Sequence, residues 1–146
     1  MIDVVTFFGV LSAALFAGAA LYINVAEHPA RMGLDTRAAA LQWERSYKRA
    51  TWMQAPLAII SLICGAALSF LGAGVGWLLA GTLLGAVVPF TLIGIRATNN
   101  KLLERGRDLS SPETRNLLVR WGRLHAIRTA LSLVGTILYL SLLLDA

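Results

Sequence analysis

The sequence predicts an all-α fold, an integral membrane four-helix bundle with short cytoplasmic connecting helices, and three observations carry that prediction. Of the 146 residues, 57% are hydrophobic and 14% charged, where soluble domains carry about 25% charged residues. Four apolar stretches each approach the ~20 residues that cross a bilayer as a helix. Every Lys and Arg falls in or beside two of the connections between those stretches. Mean hydropathy is +0.67, and the length suits a single membrane domain over residues 1–146.

The first span covers about residues 4–26. Its leading Met-Ile-Asp carries no positive charge and its apolar run outlasts a signal-peptide core, so the helix is expected to be retained. Gly9, Ala13 and Ala17 form a row of small residues along it, the kind of face that lets membrane helices approach closely. Residues 35–54 read as a connecting helix. Asp35 suits an N-cap. Ala40, Trp43, Tyr47 and Ala50 share one face, and Glu44 and Lys48 form an i,i+4 pair on another.

The second span, about residues 56–75, and the third, about 77–95, meet at the turn "LGAGVG", residues 71–76. Gly81 and Gly85 give the third span a GxxxG row, and Pro89 should kink it. Such rows serve packing within the chain or between copies of a homo-oligomer. "ERGRDLSS" at 104–111 is where flexibility is expected. Ser111-Pro112-Glu113 is a helix start: Ser caps, Pro takes the first position and Glu suits the positive dipole end. One helix is expected from there into the fourth span, about residues 126–144. The single cysteine, Cys64, lies in an apolar run and reads as a small buried hydrophobe.

Arg31, Arg37, Arg45, Lys48 and Arg49 lie between the first two spans, and the other basic residues run from Arg96 to Arg128. The positive-inside rule places both connections in the cytoplasm and both termini outside a plasma or inner membrane. The net charge of +5 is then a matter of topology and anionic lipid, and no nucleic-acid partner is implied.

Three polar clusters fall at the cytoplasmic end of this topology. In "NVAEHPAR", residues 24–31, Asn24, Glu27 or His28, and Arg31 stack on one helix face. Pro29 disturbs the helix there. In "RWGRLHAIRT", residues 120–129, Trp121, His125, Arg128 and Thr129 share a face by the same spacing. Asn99, Asn100 and Lys101 close the third span. The two histidines of the chain therefore sit at one depth, at the ends of the first and fourth spans. Taken singly, each residue suits an interfacial role: Trp as an anchor, Arg snorkelling to the headgroups. Taken together, ionisable groups at bundle-facing positions mark a functional site.

The combination "YINVAEHPAR" (22–31), "QWERSYKRA" (42–50), "PFTLIGIRATNNKL" (89–102) and "WGRLHAIRTALS" (121–132) resembles the anthrone-oxygenase-like family of small integral membrane proteins. The resemblance runs from about residue 11 to about 135. One departure is Ala97, where members often carry a proline. The resemblance implies oxidation of a flat phenolic anthrone to its quinone by O₂, with no cofactor.

Under that reading the acidic central CH₂ of the substrate is deprotonated by a base, His28 or His125. Arg128, Arg49 and Asn99 are the candidates to stabilise the developing oxyanion. Trp43, Tyr47 and Trp121, with Asn24, line the slot for the small apolar aromatic substrate. The rival reading makes His28 and His125 ligands of a haem or a metal in the bundle core, with Glu27 as a third donor. A non-catalytic four-helix scaffold is the third reading, with these clusters facing lipid headgroups.

Overall fold

The computed structural model describes residues 1–145. Four helices are long and apolar enough to cross a membrane: α1 (Ile2–Met32), α2 (Thr36–Ala73), α3 (Val75–Leu102) and α4 (Pro112–Leu144). They form an antiparallel bundle in which α1 and α3 each pack against both α2 and α4. Large apolar side chains cover the outer surface, among them Val25, Phe70, Ile93 and Val134. Water would not tolerate that surface and hydrocarbon does.

The connecting segments are not separate short helices. Residues 35–54 continue into the second span as one helix, because Pro56 lies inside α2 without ending it. The segment before the fourth span is continuous with α4 in the same way, and Gly122 does not interrupt it. At 1.5 Å per residue the 33 residues of α4 run about 50 Å, well beyond the ~30 Å hydrocarbon layer. Both α2 and α4 therefore project past it at the end bearing the basic residues. The expected caps are in place: Asp35 accepts from the Ala38 N–H at 2.9 Å and Ser111 from the Thr114 N–H at 3.2 Å.

Proline and glycine set the irregularities. A wide π-helical turn over Ile23–Glu27 precedes His28-Pro29, and another over Thr91–Ile95 follows Pro89. A proline removes one N–H and clashes with the carbonyl four residues back, so the ladder must rearrange nearby. Between α2 and α3 the chain reverses at Gly72 and Gly74, with φ of +87° and +109°, angles that suit glycine alone. The 104–111 segment is tied down rather than loose. Arg107 donates to the Lys101 carbonyl at 2.5 Å and to Glu104 at 3.0 Å, and Thr114 donates to the Asp108 carbonyl at 2.8 Å.

The small-residue rows are filled within the chain. A Cβ on Gly65 would lie 2.4 Å from the Trp77 carbonyl and 3.0 Å from the Gly81 Cα, so α2 and α3 touch backbone to backbone. Gly85 faces Leu62, and Gly9 faces Cys64. Tyr139 of α4 reaches into that crossing and donates to the Ser61 carbonyl at 2.6 Å.

Two apolar clusters result. One, built on Phe16, Leu68, Trp77, Leu84 and Tyr139, fills the half of the bundle nearer the termini. The other, built on Trp43, Ile95, Leu118 and Trp121, fills the basic half. Along α2 and α4, Gln54 and the run His125, Arg128, Thr129 fall between them.

Candidate active site

Asn24 organises the layer between the two clusters. The antiparallel pairing of α1 and α4 brings it beside Gly122, His125 and Thr129. Its amide Nδ2 donates to the Gly122 carbonyl at 3.3 Å. That fixes Oδ1 as the atom 2.7 Å from His125 Nδ1 and 2.5 Å from the Thr129 hydroxyl. An amide oxygen only accepts, so His125 carries its proton on Nδ1 and keeps a lone pair on Nε2.

His125 is buried, and it borders a cavity of about 10 Å³ whose walls include Trp43, Tyr47, Gln54, Trp121 and Arg128. That is room for about one water. Arg128 donates to Gln54 Oε1 at 2.9 Å. This leaves Arg128 Nε, Gln54 Nε2 and Trp43 Nε1 as buried donors with no partner. Buried polar groups are nearly always paired. Unpartnered donors on the walls of one cavity, with a basic nitrogen beside them, suit an occupant that carries oxygen and develops negative charge.

The aromatic residues form a wall behind this. Trp43 stacks on Tyr47, with centroids 5.0 Å apart and planes 7° apart, and meets Trp121 edge-on at 5.9 Å. Asn99 stands one step further back: its Nδ2 donates to the Tyr47 hydroxyl at 3.2 Å, and it does not border the cavity. Asn99 thus reaches the cavity only through Tyr47.

His28 is placed differently from His125. Trp121 touches both rings, 5.4 Å from His28 and 4.8 Å from His125. A guanidinium can only donate, so His28 Nδ1 accepts from Arg31 at 3.3 Å. His28 Nε2 lies over Gly122, where an added Cβ would come within 2.3 Å of it. His28 does not border the cavity that His125 borders, and its Nδ1 is taken by Arg31. The haem or metal reading therefore finds no support, and among the described residues no group of three or more His, Cys, Asp or Glu is arranged to hold a metal ion.

Glu27, the other proposed donor, is already committed. Its Oε1 accepts from Arg31, from Gln42 and from Ser46. Arg31 is only 2% exposed and also donates to Gln42. This cluster locks the end of α1 onto α2. Arg115 completes the lock by donating to the carbonyls of Met32 and Leu34.

Of the residues the sequence singles out, the structure brings Asn24, His125, Arg128, Trp43, Tyr47 and Trp121 together. It does not bring Arg49, which is exposed on the outer face of α2 and borders an open groove with Arg45 and Lys48. Gln54 and Thr51 border the cavity and were not singled out. The signal for Gln54 was present: it continues the Trp43–Tyr47–Ala50 face by one more turn.

Comparison with known proteins bears on this site. The family model described as anthrone oxygenase matches residues 43–138, which covers α2 from Trp43 onward, all of α3 and the part of α4 that carries His125 and Arg128. An anthrone oxygenase of Aspergillus fumigatus is 29% identical over 139 residues, covering 88% of this chain and 86% of the relative. No solved structure matches. The matched region contains His125, Arg128, Gln54, Trp43 and Trp121, and the chain belongs to the anthrone oxygenase family.

Proposed function

We propose that this chain oxidises a flat phenolic, anthrone-like substrate with O₂, and that His125 is its base. The observation that carries the proposal is the His125 ring, held through Nδ1 on Asn24 with Nε2 left as a lone pair beside unpartnered donors. The similarity to an anthrone oxygenase supplies the substrate class.

The chemistry needs a base and an oxyanion site. A C–H bond of the central CH₂ breaks and its proton goes to His125 Nε2. The electron pair moves into the ring system and leaves an aromatic phenolate. Arg128 Nε, Gln54 Nε2 and Trp43 Nε1 stabilise that oxygen in a site from which water is largely excluded. The phenolate gives one electron to O₂, the two radicals combine, and a C–O bond forms. The peroxide anion takes the first proton back from His125, and the freed imidazole then removes the second hydrogen of that carbon as the O–O bond breaks. The hydroxide that leaves takes that proton from His125. The CH₂ becomes C=O, one oxygen atom enters the quinone and the other leaves as water. His28, whose Nδ1 accepts from Arg31 and which does not border the cavity, takes no part in proton transfer.

The bundle sits in a plasma or inner membrane with its basic end in the cytoplasm, the placement its Lys and Arg favour. The test is quinone formation from anthrone by the protein in lipid nanodiscs. His125→Ala should slow turnover by about 10²–10⁴-fold, the usual range for loss of a general base. His28→Ala should keep most of the activity. Undiminished turnover in His125→Ala would remove the mechanism.

A further inference from the structure

Beside the His125 cavity lies a second space, about 160 Å³ in volume, between α2 and α3. Phe16, Ala58 and Val87 form its fully buried floor, while Thr51 and Leu92 are exposed at its mouth. The π-helical turn after Pro89 lies at its α3 rim, where Thr91 turns its hydroxyl back onto the Val87 carbonyl at 2.6 Å. Its mouth therefore opens on the apolar outer surface and not at an end of the bundle.

Tyr47, Thr51 and Arg128 line both this cleft and the His125 cavity, so the two spaces share a wall. The cleft is apolar except at that wall and at Thr91 on its rim. The unpartnered donors Gln54 Nε2, on a residue 2% exposed, and Trp43 Nε1, on a residue 1% exposed, lie just beyond it. An apolar space of ~150 Å³ takes a benzene-sized ring. The His125 cavity alone has no such room.

We propose that this α2–α3 cleft binds an outer ring of a flat polycyclic aromatic ketone arriving from the acyl chains, with the central ring and its ketone at the shared wall beside Arg128. The proposal deepens the oxygenase reading and rests on it for the identity of the ketone. A molecule of this kind dissolves in lipid, and a side opening lets it reach Arg128 without crossing water.

The experiment uses 9,10-anthraquinone, which is not consumed, so its binding needs no base. It is titrated into the full chain in lipid nanodiscs, and quenching of tryptophan fluorescence is read. Ala55 lines the cleft. Ala55→Phe should weaken binding by about tenfold or more, the effect of filling the space a ligand needs. Ala55→Leu should weaken it less. Ile93 is 84% exposed and lies outside the cleft, and Ile93→Phe should leave binding unchanged.

No binding to the wild type, equal binding by Ala55→Phe and Ala55→Leu, or equal loss in Ile93→Phe would each overturn the proposal. Where Ala55→Phe fails to fold, Ala55→Leu decides it. Cleft-dependent binding of anthraquinone with no oxidation of anthrone would instead sink the oxygenase reading and leave the cleft standing.

Discussion

Asn24 Oδ1 and His125 Nδ1 face each other at 2.7 Å across the contact between α1 and α4. The Gly122 carbonyl holds the Asn24 amide in that orientation from the other side. The pair sets which imidazole nitrogen is basic. Asn24→Leu should free the ring to adopt either tautomer. Turnover should fall about 10- to 100-fold, the scale seen when a hydrogen bond that orients a functional histidine is lost. Anthraquinone affinity should stay within about twofold, far less than the ~1.4 kcal/mol of a tenfold change. Nitrogen-15 NMR of labelled histidine reports the tautomer directly. A His125 signal unchanged in Asn24→Leu would refute the role given to Asn24.

Arg128 and Gln54 should act as one unit. Arg128 donates to Gln54 Oε1 at 2.9 Å, and that contact aims the remaining donors. Arg128→Lys keeps the charge and loses the planar fork. It should lower kcat by about 10²-fold or more, as loss of an oxyanion donor does. Gln54→Ala should produce a similar loss, and the double variant should be scarcely worse than either. Additive losses would show that the two residues work independently. Asn99→Ala, acting through Tyr47, should raise KM more than it lowers kcat.

The helices and their order are legible in the sequence because each apolar run is long enough to cross a bilayer and each basic connection is marked by charge. The caps at Asp35 and Ser111 are legible because local hydrogen bonding decides them. The site is only partly legible. His125 and Arg128 share a helix face, so spacing alone unites them. Arg49 attracts attention by its charge, yet it lies two residues from Tyr47, off the Trp43–Tyr47–Ala50 face that Gln54 continues. The unequal roles of the two histidines depend on which neighbours meet across α1 and α4. That relation is tertiary, and no periodicity within one helix contains it.

Gly122 and Gly65 should both resist a methyl group, for different reasons. A Cβ on Gly122 would meet the His28 ring, 2.3 Å from Nε2. Gly122→Ala should cost about 1–3 kcal/mol as overpacking. Adding His28→Ala should recover most of it, because the obstacle is a side chain. A Cβ on Gly65 would meet the Trp77 carbonyl at 2.4 Å and the Tyr139 hydroxyl at 2.5 Å. Removing the hydroxyl with Tyr139→Phe should not rescue Gly65→Ala, since the backbone obstacle remains. Thermal unfolding in mild detergent measures all of these. Rescue in the second pair, or none in the first, would contradict the packing described.

Glu27 and Arg31 should show the behaviour of a buried ion pair. Arg31 is almost fully enclosed, and Glu27 Oε1 lies 2.5 Å from its guanidinium while also accepting from Gln42 and Ser46. Glu27→Gln strips the countercharge and leaves the guanidinium enclosed. Breaking a buried pair by removing one partner costs about 3–5 kcal/mol, and the 18% exposure of the Glu27 side chain places this case toward the lower end. Arg31→Met alone should also destabilise, since the carboxylate keeps only its hydrogen bonds to Gln42 and Ser46. The double variant Glu27→Gln with Arg31→Met should be more stable than the sum of the single losses predicts, because it leaves no unpaired charge. Thermal unfolding of the set in detergent decides it. Strict additivity would mean that the two side chains stabilise the α1–α2 contact by packing alone.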